Sequence, residues 1–226
     1  MMEAIAPRGP DAAGLELHNG VALAHRRLSI IDLSVKARQP MVDPALGLTV
    51  VFNGCIYNYP ELRAELEAKG YTFFSTGDTE VVIKAYHAWG RHCVDRFKGM
   101  FAFVIHERDS GRVVMARDRF GIKPLYISEK PGQIRFASSL PALLKAGDVD
   151  TSIDRRALHN YLSFHAIVPP PRTIINGVKK LPPATVRVIE PNGQHEDFVY
   201  WNPPYQRDPQ YSGLSTEDWR DMVLDA

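Results

Sequence analysis

The segment at 48–58, LTVVFNGCIYN, limits this chain more than any other. Leu48, Thr49, Val50, Val51 and Phe52 are strand formers, and they run directly into Asn53-Gly54 and a second apolar patch, Ile56 and Tyr57. A buried strand ending in a sharp turn is the local expectation. Two readings of that turn stand side by side. Structurally, Asn-Gly between hydrophobic runs signals a hairpin. Chemically, glycine accepts backbone angles that other residues avoid, so Gly54 can expose its N–H while the Asn53 amide donates beside it. Two donors aimed from a strand end can hold an oxyanion.

Size and charge narrow the rest. With 226 residues the chain can bury a large core, which fits one domain with an appendage. Lys and Arg number 27 against 26 Asp and Glu, net +1, so no basic excess exists to neutralise phosphates or to hold an anionic membrane. Nucleic acid and membrane are therefore not expected as partners. No apolar run approaches the ~20 residues of a membrane span, and MMEAIAPRG lacks a basic region followed by an apolar one. Only Cys55 and Cys93 are present, too few for a disulfide framework or a multi-cysteine zinc site, and a reducing cytoplasm fits best. The eight histidines are scattered, and His92 beside Cys93 makes no ligand pattern, so no metal site is expected.

Along the chain, Met2 and Ile5 are spaced like the last turn of an amphipathic helix, stopped by Pro7, Gly9 and Pro10. Residues 20–24 read as a short strand, and HRRLSIIDL (25–33) carries charge into a further apolar run. Pro60, the pair Leu62 and Leu66, and Gly70 predict one helix. Thr76-Gly77-Asp78-Thr79 opens another, capped by Thr76 or Asp78 and closed by Gly90. From Met100 the period becomes two, and a turn at 109–111 leads into a strand at 113–116. Pro131-Gly132 leads to a strand ending at Ala137, and Ser138 caps a short helix through Leu144. Asp154 begins a helix whose Ala157, Leu158, Tyr161 and Leu162 face inward. A last hairpin turns at 191–193 and ends near Trp201. Residues 202–213 have linker composition, and Ser215-Thr216-Glu217-Asp218 is a capping box for a helix that meets the end of the sequence at Ala226 with its apolar side uncovered.

Six motifs in order, RGPD (8–11), HRRLSIIDL (25–33), FNGCIYN (52–58), TGDTE (76–80), GMFAF (99–103) and ARDRFGIKPLY (116–126), resemble the glutaminase domain of glutamine-dependent asparagine synthetases. The match runs from Arg8 to about Trp201. The resemblance implies a class II glutamine amidotransferase with the N-terminal-nucleophile fold, an α+β architecture of four αββα layers in which two stacked antiparallel sheets lie between helices. Composition and spacing alone support only mixed α and β. Cys55, where most members have Glu, and YLSFHAIVPPP (161–171) look most like the N-acetylglutaminylglutamine amidotransferase branch, which amidates a small dipeptide. The division that follows is a glutaminase domain at 1–201, lacking its first strand, and a linker with the first helix of a synthetase domain at 202–226.

In such proteins an N-terminal cysteine attacks the side-chain amide of L-glutamine, its own α-amine serving as base, and ammonia passes to a second domain. An α-amine titrates at about 7.7 to 8.0 and sits on the same residue as the thiol, which suits this role. By position, the resemblance assigns Arg27 to the glutamine α-carboxylate, Asp78 to the α-amino group, Asn53 and Gly54 to the oxyanion, and Leu28 and Ile30 to the pocket wall through their main chain. Cys55 lines the same pocket. Read without the resemblance, Arg27 is a solvated charge on a strand, Asp78 a helix cap, and Cys55 a small buried thiol. RDxxGxKPL at 117–125 reads as a charged loop bracing the sheet.

The sequence begins Met1-Met2-Glu3 and holds no cysteine before Cys55, so the expected nucleophile is absent and the chain as written is expected to be inactive, through truncation or a misplaced start. ATP and Mg are expected in a full-length enzyme, in its own C-terminal synthetase domain, with no cofactor in this part. The oligomer is left open, a homodimer among the options. The rival readings are a non-catalytic domain that binds a ligand or partner, and another class II amidotransferase.

Overall fold

The strand that begins at Leu48 does not stop at Asn53-Gly54. In the computed structural model, which describes residues 1–205 and 211–224, β4 (Leu48–Ile56) continues straight through the dipeptide. It pairs antiparallel with β5 (Gly99–Glu107) from Leu48↔Glu107 to Ile56↔Gly99. The expected sharp turn is therefore corrected, and with it the hairpin reading. Glycine stands at 54 for another reason: a Cβ there would lie 2.2 Å from the Met100 carbonyl oxygen. Gly99, opposite Ile56, is under the same constraint, its Cβ position falling 2.2 Å from the Cys55 oxygen. The two backbones cross too closely at this end for any side chain between them.

Around this pair an antiparallel sheet forms in the order β11-β10-β6-β5-β4-β3, with β3 at Met41–Asp43, β6 at Val113–Arg117, β10 at Thr185–Ile189 and β11 at His195–Val199. One face carries α1 (Tyr59–Ala68) and α2 (Asp78–Trp89), whose Leu62, Leu66, Val82 and Ile83 pack against Val50, Phe52 and Ile56. Phe97, Phe101 and Phe103 fill the same layer, Phe97 meeting the other two edge to face. The opposite face, with Val51, Val104 and Met115, packs on Leu23, Leu125 and Ile127 of a second layer. That layer holds the hairpin β1 (Ala12–His18) and β2 (Val21–Arg27) and a sheet of order β8-β7-β9, from β7 (Tyr126–Lys130), β8 (Gln133–Ala137) and β9 (Lys179–Lys180). Behind it lie α4 (Leu140–Leu144) and the 3-10 turn at Met2–Arg8, where Leu143 and Ile5 share a third cluster. Helix, sheet, sheet, helix is the αββα stacking expected.

Local expectations meet mixed outcomes. The spacing at 20–24 marked only part of β2, and β1 went unread. The turn between them is Asn19-Gly20, both at positive φ (46° and 79°), the geometry of a two-residue hairpin. After Arg27 the apolar run is loop, leaving Leu28, Ile30 and Leu33 exposed at 55%, 74% and 76%. Helix α2 is capped by the extended Gly77, not by Thr76 or Asp78, because the Asp78 side chain is turned back to the Ile56 N–H. Helix α4 starts after Ser139 rather than Ser138, with no side-chain cap bond. Between α2 and β5 sits the short α3 (Cys93–Arg96). Asp154 does cap α5 (Arg155–Ser163), accepting from the Arg156 and Ala157 N–H groups. Of the four residues expected to face inward only Ala157 is buried; Leu158 and Tyr161 are partly covered and Leu162 is 74% exposed. Ser215 and Asp218 exchange the reciprocal bonds of a capping box at the start of α6 (Thr216–Leu224). Part of the expected linker, 206–210, and the end of that helix at 225–226 lie outside the described residues.

Candidate functional site

Strand periodicity decides which groups of β4 face where. In an antiparallel strand, alternate residues turn both side chain and backbone polar groups to opposite sides. The Tyr57 N–H donates to the Lys98 carbonyl, and the Asp118 N–H to the Phe101 carbonyl on the far side of β5. Val51, Asn53 and Cys55 therefore hydrogen-bond to β5, whereas Phe52, Gly54 and Ile56 turn their main-chain groups away from it. On that side β3 reaches only as far as Val50. Beyond it, side chains take over: Gln39 Oε1 accepts from the Phe52 N–H at 2.6 Å, and Asp78 Oδ2 accepts from the Ile56 N–H at 3.1 Å. Gly54, between these two, points its N–H the same way and has no partner among the described residues. The Asn53 side chain turns toward the second layer, and its Nδ2 is buried and unpartnered. A buried donor left unmade is costly, which marks it as held for something else.

Arg27 stands at the end of β2, one step beyond Leu23 and His25 on the strand's inner face. It is buried, so the solvated-charge reading fails. Its guanidinium donates to the Ser34 carbonyl at 2.8 Å and to the Asp32 carbonyl. Asp32 accepts from the Ser34 N–H at 2.7 Å, an Asx turn, and from the Thr76 N–H at 2.8 Å. Burial alone would raise the Asp32 carboxyl, but these donors hold it far below the usual carboxylate range. One run of bonds thus leads from Arg27 through Asp32 to Thr76, then two residues along to Asp78, whose carboxylate reaches β4 beside Gly54. Gln39 adds a brace, its Nε2 lying 3.3 Å from Thr79 Oγ1.

The two charges at the ends of this run are unbalanced. Arg27 is bonded to main-chain carbonyls only, and forms no ion pair among the described residues. Asp78 accepts main-chain N–H bonds only, and burial pushes its carboxyl upward against them. A buried cation and a buried anion without opposite charges suit a ligand that carries both. At Cys55, burial and then the Asp78 charge push the thiol upward, while Lys123 pulls the other way. Cys93 is fully buried and its thiol is driven well above the ordinary value. Neither is a ready thiolate.

Leu28 and Ile30, expected as pocket wall, follow Arg27 with their side chains to solvent; the Ser29 N–H between them donates to Asp11 Oδ2 at 2.8 Å. The loop at 117–123 braces the sheet: Arg117 donates to the Gly121, Lys123 and Leu181 carbonyls, and Asp118 accepts from the Phe101, Phe120, Ile122 and Lys123 N–H groups. Two cavities, of about 480 and 470 Å³, lie elsewhere, one beside Asp43 and Lys84 and one beside Arg91 and Arg112. Neither is lined by Arg27, Asn53, Gly54 or Asp78. Asp32 and Gln39 are the residues that sequence reasoning missed. Asp32-Leu33-Ser34 carried a readable turn signal; Gln39 carried none.

Residues 1–201 match the family model described as a glutamine amidotransferase domain. Over 226 residues, all of this chain and 35% of the relative, the sequence is 38% identical to asparagine synthetase [glutamine-hydrolyzing] 1 of Bacillus subtilis. It is 39% identical over 187 residues, 77% of this chain and 28% of the relative, to a putative asparagine synthetase [glutamine-hydrolyzing] of Mycobacterium tuberculosis. The chain therefore spans about a third of the length of these curated relatives. Among solved structures, the B. subtilis glutamine phosphoribosylpyrophosphate amidotransferase superposes over 80% of this chain and 35% of its own, with TM-score 0.56 at 19% identity, a likeness of fold.

Proposed function

This chain belongs to the glutamine amidotransferase domain family found in glutamine-hydrolysing asparagine synthetases, and from that premise we propose that it binds L-glutamine for release of the side-chain nitrogen. The observation that carries the reading is the pair of uncompensated buried charges joined by the Arg27–Asp32–Thr76 run of bonds. Arg27 offers the planar fork that suits an α-carboxylate, and Asp78 the anion for an α-ammonium. The carboxamide then lies along β4, where the Gly54 N–H and the Asn53 amide are the free donors. When a thiolate adds to the amide carbon, the carbonyl electrons move to oxygen, and these donors stabilise that charge. Protonation of the nitrogen lets ammonia leave, and water then frees glutamate from the thioester. The attacking thiolate is assigned to a cysteine whose own α-amine serves as its base, a role that Cys55, within β4, and Cys93, within α3, do not fill. Cys55 serves as a small wall of the pocket, as do the Leu28 and Ile30 main chains.

We assign the ammonia to an ATP-dependent amidation by a C-terminal synthetase domain of a longer protein, forming asparagine or N-acetylglutaminylglutamine amide. ATP and Mg are assigned to that domain as well. No described helix is long and apolar enough to cross a membrane, and the proposed setting is the cytoplasm. Calorimetry with L-glutamine, D-glutamine and L-glutamate tests the pocket. The reading expects L-glutamine to bind, with Arg27→Ala and Asp78→Asn each weakening it at least tenfold; equal binding of both enantiomers sinks it. Glutamate release is then assayed in the chain given an N-terminal cysteine.

A further inference from the structure

On the side of β4 that faces away from β5, three N–H groups stand in a row at Phe52, Gly54 and Ile56, past the point where β3 stops pairing at Val50. Side chains take the outer two and leave the middle one free. Asp78, which holds Ile56, is the proposed partner of the substrate ammonium; Gln39, which holds Phe52, carries no charge to offer a substrate. Its bond is short, 2.6 Å, and a main-chain N–H only donates, so the atom that meets it is Oε1 and Nε2 is turned to Thr79 Oγ1 at 3.3 Å. Thr79 follows Asp78 in the first turn of α2. The Gln39 main chain is held from a third side, since a Cβ on Gly14 of β1 would lie 2.1 Å from its carbonyl oxygen. Residue 39 thus ties together β1, β4 and the start of α2. Its place in the register is informative as well. Extending the Met41↔Val50 pairing would set residue 39 opposite Phe52 and residue 37 opposite Gly54, whose N–H a carbonyl at 37 would then take. Instead Ala37 lies in the 3-10 turn Val35–Ala37, and the ladder ends on the Gln39 side chain.

We propose that Gln39 is the positioning residue of the Gly54 oxyanion donor: its side-chain carbonyl closes the ladder at Phe52, so that the next N–H in the row, that of Gly54, is held in place and left open to a substrate oxygen. The proposal rests on the reading of Gly54 as such a donor. With Phe52 fixed by Gln39 on one side and Ile56 by Asp78 on the other, the peptide between them has little room to move. A donor fixed before reaction acts on the transition state rather than on binding. A neutral amide also suits the place. A carboxylate there would meet the same two partners, accepting from the Phe52 N–H and from the Thr79 hydroxyl, but would set a negative charge near the position where negative charge develops. Gln39 touches no substrate atom in this arrangement.

Gln39→Met keeps the length of the side chain but gives the Phe52 N–H no strong acceptor. In the 226-residue chain without glutamine, amide hydrogen exchange followed by nuclear magnetic resonance should quicken roughly tenfold or more at Phe52, while Val51 and Val104, paired with each other inside the ladder, keep their rates. In the full-length protein the same variant should lower kcat for glutamine hydrolysis roughly ten- to a hundredfold and change KM by less than about threefold. Gln39→Glu separates charge from shape. Its kcat should fall at pH 8, and the ratio to the unsubstituted protein should climb toward one as the pH is lowered to 5 and the introduced carboxyl takes up a proton, becoming an acceptor and donor like the amide it replaced. Unchanged exchange at Phe52, a loss confined to KM, or a Gln39→Glu deficit that stays constant from pH 8 to 5 would overturn the proposal. A chain that binds L-glutamine yet gives any of these results loses the proposal alone, whereas one that binds no L-glutamine loses the reading of the pocket and the proposal with it. If Gln39→Met misfolds, Gln39→Glu, which retains both contacts, decides.

Discussion

The Asn-Gly at 19–20 and the Asn-Gly at 53–54 are the same dipeptide doing opposite work. The first reverses the chain: both residues have positive φ, the strands on either side pair from His18↔Val21 outward, and a Cβ on Gly20 would meet nothing within 4 Å. The second lies flat in a ladder, and a Cβ on Gly54 would strike the neighbouring backbone. Conformational freedom selects glycine at 20; lack of space selects it at 54. The asparagines differ in the same way, Asn19 tolerating a left-handed turn and Asn53 presenting a buried amide with no partner. What separates the pairs is the residues around them. Strand-forming residues continue past 54 as Ile56 and Tyr57 in step with the strand before it, whereas 19–20 joins two strands that run back along each other.

The comparison can be broken most forcefully at Gly54. Gly54→Ala should cost more than about 4 kcal/mol of stability or prevent folding, since only backbone movement relieves the clash; urea unfolding measures it, and a loss under 1 kcal/mol would show the strands can part there. Next, Asn53→Ala in a chain given an N-terminal cysteine should lower glutamine hydrolysis roughly 10²- to 10³-fold while melting stays near that of the unsubstituted chain; Asn19→Ala should leave turnover unchanged. Third, acid should act through His25, on β2. Its folded value of about 4 lies below the ordinary 6.5, so between these the unfolded chain binds a proton that the folded one refuses. That contribution to stability is whole above about pH 6.5 and is lost as pH falls toward 4, by at most about 3 kcal/mol. Unfolding of the chain and of His25→Gln from pH 7 to 4 should show the gap between them changing by that amount. The smallest effect is Gly20→Ala, about 1 kcal/mol, since the turn is open and only the left-handed backbone is strained.

How much of this the sequence disclosed follows from how local each signal is. Helix ends were legible, because Pro60, Gly70 and Gly90 act on their own neighbours. The hairpin at 109–111 was legible for the same reason. The stacking of layers came through resemblance, since nothing at a single position says which sheet faces which. At the candidate site, Arg27, Asp78, Asn53 and Gly54 were proposed through the resemblance. Their connection was not legible: the Thr76 N–H finds Asp32 across 44 residues, and the Phe52 N–H finds Gln39 across 13. The inward face expected for α5 failed likewise, because periodicity shows that a helix has an apolar side but not whether anything covers it.

The central claim is that a free amino acid is gripped at both ends with its amide against β4. Titrating ¹⁵N-labelled chain with L-glutamine tests it directly, with every backbone and side-chain amide followed at once. The account predicts saturable shifts at the Gly54 N–H and the Asn53 side-chain amide, none at Asn19 or Gly20, and loss of both shifts in Asp78→Asn. Saturable binding that leaves Gly54 and Asn53 unmoved would contradict it.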